Sequence, residues 1–148
     1  MRISQERAIE IALSLNPVDV PEMSTLMQDD TFFNCNHGRL KLRRELHDST
    51  ETAMLIAYER PDVTGPKRSD YVKTMIPHPD ELEEALKRSL GIKERVSKTR
   101  LLAIVDVTGL KSRIHLDDVE GLGHFIEFEV IIFILRCHYY CCWVQKRE

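Results

Sequence analysis

Residues 38–43 read Gly-Arg-Leu-Lys-Leu-Arg, and this alternation of charged and apolar residues decides the fold class. Side chains of a β-strand point alternately to its two faces, so Arg39, Lys41 and Arg43 share one face and the leucines take the other. Residues 126–130, which read Ile-Glu-Phe-Glu-Val, alternate in the same way. Both segments are therefore predicted to be β-strands with one charged face and one apolar face.

The rest of the chain carries further strand and helix signals. The predicted strands are residues 39–44, 53–60, 69–75, 96–106, 112–119 and 125–134, with turn residues between them. One helix is predicted at residues 4–15, and a second is capped by Asp80, carries Glu83 as its capping-box partner and ends at Gly91. An antiparallel sheet with helices outside it, an α+β fold, follows from this order.

The charged faces differ in sign from strand to strand. Basic residues dominate around residues 41 and 98, whereas the later strands offer carboxylates. A sandwich with one solvated face gives the same alternation, so the pattern alone leaves both arrangements open. If the sheet closes with these faces inward, it forms a β-barrel of about eight strands whose lumen holds one small ligand.

Composition limits the classes of function. The 148 residues include 30% charged residues, yet the net charge is only -3, which argues against a generic nucleic-acid binder. Charged residues interrupt the apolar stretch at residues 125–144, so no membrane span is predicted. The four cysteines show no disulfide framework, and a reducing, cytoplasmic setting is expected.

A lumen with a cationic wall suits a polyphosphate. Phosphoryl transfer needs mainly positioning and charge neutralisation, which Lys, Arg and a divalent cation supply. Glu127 and Glu129 point the same way, with Cα atoms about 7 Å apart by strand rise, and are the candidates for holding Mg²⁺ or Mn²⁺. A Glu-x-Glu on a strand is more often a solvated edge, so this pair is weak evidence alone.

Six motifs follow one another along most of the chain. They are Asp30-Thr31-Phe32-Phe33, residues 38–43, Tyr58-Glu59-Arg60-Pro61-Asp62, residues 65–71, Val96-Ser97-Lys98-Thr99-Arg100, and residues 115–123 continuing through 125–130. In order and spacing they resemble the CYTH superfamily, also called the triphosphate tunnel metalloenzymes, over Met23 to Ile132. The group includes class IV adenylate cyclases, thiamine triphosphatases and inorganic tripolyphosphatases.

The resemblance implies a role for each matching position. It implies catalytic roles for Lys98 and Arg100. The substrate-binding residues it implies are Lys41, Arg43, Arg60, Lys67 and Arg113, of which Lys67 matches least firmly. The metal ligands it implies are Glu127, Glu129 and Asp117, with Mg²⁺ or Mn²⁺ as the cofactor. Arg113 shares a face with Asp117 and is expected to pair with it, and His115 on that face is expected to act through hydrogen bonds rather than as an acid or base.

Two departures from the family pattern predict a chain shortened at both ends. The family's first strand has no counterpart here, and residues 133–148 do not show the helix and closing strand that follow the Glu-x-Glu strand in the family. The family's first strand carries Glu-x-Glu-x-Lys, and no segment here reproduces it. Residues 1–132 are therefore expected to form a CYTH-like domain without that strand, and the barrel to be incomplete or open. Residues 133–148 are expected to be a divergent, apolar C-terminal tail.

Three functions remain open at this point. The leading hypothesis is metal-dependent hydrolysis of a triphosphate-containing substrate: inorganic tripolyphosphate, thiamine triphosphate or a nucleoside triphosphate. The alternatives are an adenylate cyclase that produces cyclic AMP, and a non-catalytic module that binds triphosphates or polyphosphate. The expected partner is a triphosphate-bearing small molecule rather than nucleic acid or a membrane, and a homodimer is left open.

Overall fold

The computed structural model describes residues 10, 22–61, 67–107, 110–134 and 138–146. Within these residues, Glu10 apart, the chain forms eight β-strands and one helix. In chain order these elements are β1 (Glu22–Phe33), β2 (Arg39–His47), β3 (Thr50–Glu59), β4 (Lys67–Met75), α1 (Pro79–Leu90), β5 (Ile92–Val107), β6 (Leu110–Val119), β7 (Gly123–Ile134) and β8 (His138–Lys146).

The eight strands close into an antiparallel barrel in the order β1-β2-β3-β4-β8-β7-β6-β5, with β5 returning to β1. The predicted antiparallel barrel with helical structure outside it is thus confirmed. The expectation of an incomplete barrel holds in that no described strand carries Glu-x-Glu-x-Lys. The strands that are present nevertheless close into a ring, because β8 pairs with β4 on one side and with β7 on the other. Every strand has two neighbours, so none of these eight presents an open edge.

All six predicted strands are present, and two more were missed. β1 was not predicted because polar and apolar residues mix on both of its faces: Leu26, Gln28 and Asp30 point inward while Met27 and Asp29 point outward. β8 lies within residues 133–148, the segment expected to be a tail. The helix predicted at residues 4–15 falls outside the described residues, apart from Glu10.

The helix α1 begins two residues earlier than predicted and is capped differently. Its N-cap is His78, whose side chain makes no capping hydrogen bond, and Pro79 occupies the first turn. Asp80 and Glu83 do not form a capping box, because the N-cap is His78 and both acidic residues lie inside the helix. Instead they accept hydrogen bonds from Arg44 of β2, at 2.7 and 3.0 Å. These bonds hold the helix against the outside of the barrel.

The end of α1 is fixed as predicted. Gly91 has a φ of +75°, a conformation that favours glycine, and its N–H donates to the Lys87 carbonyl at 2.9 Å. The Gly91 carbonyl accepts from the Asn34 N–H at 3.2 Å, just beyond the end of β1. The chain therefore enters β5 beside β1, where the two strands pair.

The main buried apolar cluster of the barrel lies on the outward-facing side of its strands rather than in the lumen. Outward-facing residues of β5, β6 and β7 form one buried cluster, made of Ala103, Val105, Ile114, Leu116 and Ile126. The opposite faces of the same strands carry the charged residues, as the alternation predicted. Within the described part of the chain, no helix is long and apolar enough to cross a bilayer.

Candidate functional site

The inward faces of the strands enclose a cavity of about 590 Å³. Seven basic side chains among the described residues line it: Lys41, Arg43, Arg60, Lys73, Lys98, Arg100 and Arg113. Five acidic side chains line it as well: Asp30, Glu45, Asp117, Glu127 and Glu129. The structure thus brings every predicted site residue into one lumen except Lys67, which begins β4 but whose side chain lies outside the description.

A first group of lumen residues, here the Asp30 cluster, joins β1 to β2. The Asp30 carboxylate accepts hydrogen bonds from Lys41 Nζ at 2.8 Å and from Arg43 Nε and Nη2 at 2.6 and 2.7 Å. Burial alone would raise the pKa of Asp30, but the Arg43 hydrogen bond and the charges of Lys41 and Arg43 outweigh it and hold that pKa far below its usual range. Asp30 is therefore a buried carboxylate at neutral pH.

A second group, here the Asp117 cluster, repeats this arrangement between β6 and β5. Asp117 accepts from Lys98 Nζ at 2.7 Å and from Arg100 Nε and Nη2, both at 2.6 Å. Burial opposes ionisation here too, yet Arg100 and Lys98 lower the pKa of Asp117 to about 2. In each cluster the arginine is the cross-strand partner of the aspartate, and the lysine precedes that arginine by two residues.

The lysines of the two clusters are strongly affected by burial and by their neighbours. Burial, with the nearby charge of Arg43, lowers the pKa of Lys41 to about 7 despite its bond to Asp30. Burial and the charge of Arg100 likewise lower the pKa of Lys98. Lys98 also contributes to the shift at Lys41, so the two clusters interact electrostatically across the lumen. An excess of positive charge here favours a polyanionic ligand.

The predicted metal pair lies beside His115. Glu127 Oε2 is 3.3 Å from Arg100 Nη2 and 3.7 Å from His115 Nδ1, and Glu129 Oε2 is 3.3 Å from His115 Nε2. Burial, the largest influence, lowers the pKa of His115 and outweighs the effect of the two glutamates, so the imidazole is mainly neutral at pH 7. Burial raises the pKa of Glu127, but the His115 hydrogen bond and the Arg100 charge outweigh burial. The net effect is a pKa below the usual value, which keeps Glu127 ionised.

Arg113 makes a different contact from the one expected. Its Nη1 lies 3.6 Å from Glu129 Oε2, whereas the bonds that engage Asp117 come from Lys98 and Arg100. The cause is the strand register, because Arg113 is opposite Glu129 across the β6–β7 pair while Asp117 is opposite Arg100 across the β5–β6 pair. That Arg113 and Asp117 lie on the same face of β6 therefore did not make them an ion pair.

The three predicted metal ligands differ in their fit to a divalent cation. Glu127 and Glu129 present carboxylate oxygens on one strand face, the donor type that Mg²⁺ and Mn²⁺ prefer. Both oxygens of Asp117 already accept from Lys98 and Arg100 at 2.6 to 2.7 Å. Among the described residues no three His, Cys, Asp or Glu side chains surround a common point. The donors present thus fit a two-carboxylate site that phosphate and water oxygens would complete.

Three charged lumen residues and one amide were missed as site residues from the sequence: Asp30, Glu45, Lys73 and Gln28. Asp30 belongs to a stretch that carries the family resemblance, and Glu45 continues the alternation of Lys41 and Arg43 by one more step. This alternation could have predicted that Glu45 shares the lumen-facing side of β2. Gln28 gave no such signal, because β1 itself was not recognised as a strand.

Comparisons with known proteins agree with this geometry. The family model described as CYTH domain matches residues 1–132. The PH1819 protein of Pyrococcus horikoshii aligns with a TM-score of 0.67 at 20% identity, over 90% of this chain and 76% of that one. The PH1012 protein of the same organism aligns with a TM-score of 0.65 at 18% identity, over 88% and 76%. A conserved hypothetical protein of Pyrococcus furiosus gives 0.59 at 17%, over 100% and 76%. No curated protein matches the chain.

Proposed function

Because the chain belongs to the CYTH domain family, we propose that it binds a triphosphate-bearing small molecule in the lumen and hydrolyses it with the help of a divalent cation. The observation that carries the proposal is the enclosure of seven basic side chains in one cavity of about 590 Å³. That volume lies within the range of pockets for small molecules and cofactors. Buried cations at this density favour a ligand with several negative charges.

The two clusters supply the phosphate contacts. Each presents a lysine and an arginine from one strand, and guanidinium groups bind phosphate oxygens in the same two-pronged way that they bind carboxylates. Lys41 and Arg43 on one side, and Lys98 and Arg100 on the other, are assigned to successive phosphoryl groups. Lys98 and Arg100 are assigned the additional role of stabilising charge in the transition state.

The carboxylates divide into two roles. Glu127 and Glu129 are assigned to hold Mg²⁺ or Mn²⁺, which would supply charge neutralisation at the phosphate oxygens and lower the pKa of a water molecule. Asp117 is assigned a positioning role, since its oxygens orient Lys98 and Arg100. Arg60, Arg113 and Lys67 are assigned to the remaining phosphate contacts.

A second candidate is a module that binds triphosphates without turning them over. The observation that favours it is the engagement of the lumen carboxylates by cationic side chains. Asp117 is held by Lys98 and Arg100, and no three-ligand metal group exists in the described part of the chain. Such a module would use the same Lys41, Arg43 and Arg100 contacts, so binding alone does not distinguish the two functions.

Product analysis separates these functions. The purified chain is incubated with tripolyphosphate, thiamine triphosphate or ATP and with Mg²⁺ or Mn²⁺, and the products are resolved by chromatography. If the chain is a hydrolase, orthophosphate is released when metal is present and is not released when EDTA is added. Cyclic AMP as the main product from ATP would overturn the hydrolase proposal in favour of a cyclase. Ligand binding without any product would overturn it in favour of the binding module.

A further inference from the structure

Gln28 is a buried lumen residue with an unsatisfied acceptor. It lies on β1, is 2% exposed, and its Nε2 donates to Glu45 Oε2 on β2. Its Oε1 is buried and finds no hydrogen-bond donor among the described residues. A buried acceptor without a donor is destabilising, and native proteins satisfy the great majority of such groups. The position is therefore suited to a ligand that brings a donor.

A triphosphate group cannot supply that donor. Its ionised oxygens only accept hydrogen bonds, and Glu45, which also lines the cavity, repels them. The amide oxygen of Gln28 and the carboxylate of Glu45 together form an acceptor pair in a lumen that is otherwise rich in cations. This part of the lumen is thus chemically matched to something other than phosphate.

The acceptor pair lies directly beside the phosphate-binding groups. Gln28 is two residues from Asp30 on β1, and Glu45 is two residues from Arg43 on β2, which separates their Cα atoms by about 7 Å in each case. Gln28 and Glu45 lie directly opposite each other in the antiparallel pairing of β1 and β2. Leu26 and Met54 line the cavity next to it and offer apolar contacts.

We propose that Gln28 and Glu45 form a head-group subsite that selects triphosphates whose organic part carries a hydroxyl or N–H donor over inorganic tripolyphosphate. The inference rests on the proposed function for the triphosphate contacts and adds the class of substrate. Phosphates occupy the Asp30 and Asp117 clusters, and the organic group extends along β1 and β2 to the acceptor pair. A site built to hydrogen-bond a donor discriminates strongly against a ligand that lacks it.

Equilibrium binding without metal tests the proposal. Affinities for ATP, thiamine triphosphate and tripolyphosphate are measured by calorimetry in EDTA, so that neither turnover nor a bound divalent cation contributes. The variants are Gln28→Met, which keeps the shape but removes the amide, and Glu45→Gln, which removes the negative charge. Asp29→Asn, on the exposed outer face of the same strand, is the control. Thermal unfolding of each variant reports whether it folds.

We expect the wild-type chain to bind at least one of the two organic triphosphates ten or more times more tightly than tripolyphosphate. Gln28→Met should reduce that ratio at least fivefold, Glu45→Gln should reduce it by raising affinity for tripolyphosphate, and Asp29→Asn should retain it. If Gln28→Met does not fold, the wild-type ratio and Glu45→Gln decide the outcome. Equal or tighter binding of tripolyphosphate by the wild type, or a ratio that survives both lumen substitutions, overturns the inference.

Failure of this inference is distinct from failure of the proposed function. Metal-dependent hydrolysis with no preference between organic and inorganic triphosphates overturns the subsite and leaves the hydrolase. Selective binding that depends on Gln28, without hydrolysis when metal is added, supports the subsite and overturns the hydrolase. Absence of binding for all three ligands, both in EDTA and with Mg²⁺ present, overturns both.

Discussion

Asp30 and Asp117 lie on different strands of the barrel and accept the same set of partners in the same register. Each accepts two hydrogen bonds from the arginine directly across the strand pair and one from the lysine two residues before that arginine. The lumen therefore contains two copies of one charge arrangement, and each buries a carboxylate together with two cations. This duplication explains how the lysines and arginines of the two clusters lie close together, because each pair has a buried carboxylate as its counter-charge.

Removing Asp30 should destabilise the barrel. Asp30→Ala leaves Lys41 and Arg43 buried beside each other without a counter-charge, and loss of one partner of a buried ion pair costs about 3 kcal/mol. The free energy of unfolding, measured by guanidinium denaturation, should fall by about that amount. Asp29→Ala, an exposed neighbour, is the control. Equal stability of the two variants would show that the Asp30 cluster contributes little.

Acid should destabilise the chain between about pH 4 and pH 2. The pKa of Asp117 is lowered from 3.8 to about 2 in the folded barrel, and that of Asp30 is lowered further, so protonation favours the unfolded chain as pH falls through this window. The stability due to Asp117, about 2 kcal/mol, is fully present above the unfolded pKa and lost on acidification. Urea unfolding from pH 6 to pH 2.5 should show a shallower decline for Asp117→Asn than for the wild type. Identical slopes would argue against ionised Asp117 in the folded state.

The fold was predictable where alternation was strict. Arg43 on β2 and Glu127 on β7 line the lumen, whereas their neighbours Leu42 and Phe128 belong to the opposite, apolar faces of the same strands. The sequence pattern therefore reported both faces. β1 escaped prediction because its inward face mixes Leu26 with Gln28 and Asp30. Closure by β8 was also unpredictable, since its strand neighbours are set by pairing with β4 and β7 rather than by local sequence.

The candidate site was predictable as a set of residues but not as a network. The alternation put Lys98 and Arg100 on one face of a strand and Glu129 on one face of another, and the family resemblance implied that both faces line one lumen. Which charge meets which depends on the register between strands, and a single strand does not contain that information. For this reason the contact of Arg113 with Glu129, and the engagement of Asp117 by two cations, emerged only from the three-dimensional structure.

Arginine substitutions should weaken ligand binding. Arg43→Ala and Arg100→Ala each remove a two-pronged phosphate donor, and each should lower the affinity for tripolyphosphate by more than about 1 kcal/mol. Calorimetric titration measures this. Arg88→Ala, on the exposed face of α1, removes an equal charge outside the lumen and should have little effect. If Arg88→Ala weakens binding as much as the lumen variants, general charge rather than direct contact is responsible.

Substitution of the acidic pair should change the metal requirement. Glu127→Gln or Glu129→Gln removes a charged oxygen donor from the assigned metal site, so the Mg²⁺ concentration for half-maximal phosphate release should rise at least tenfold. Glu120→Gln, in the exposed turn between β6 and β7, is the matched control. An unchanged metal requirement in both lumen variants would remove this pair from the assigned site.

A crystal structure of the chain with tripolyphosphate and Mn²⁺ would show whether the triphosphate binds inside the barrel. We expect phosphate density between the Asp30 and Asp117 clusters, within hydrogen-bond distance of Arg43 and Arg100, and an anomalous Mn²⁺ peak beside Glu127 and Glu129. Phosphate bound on the outer surface while the lumen ion pairs remain unchanged would contradict this expectation.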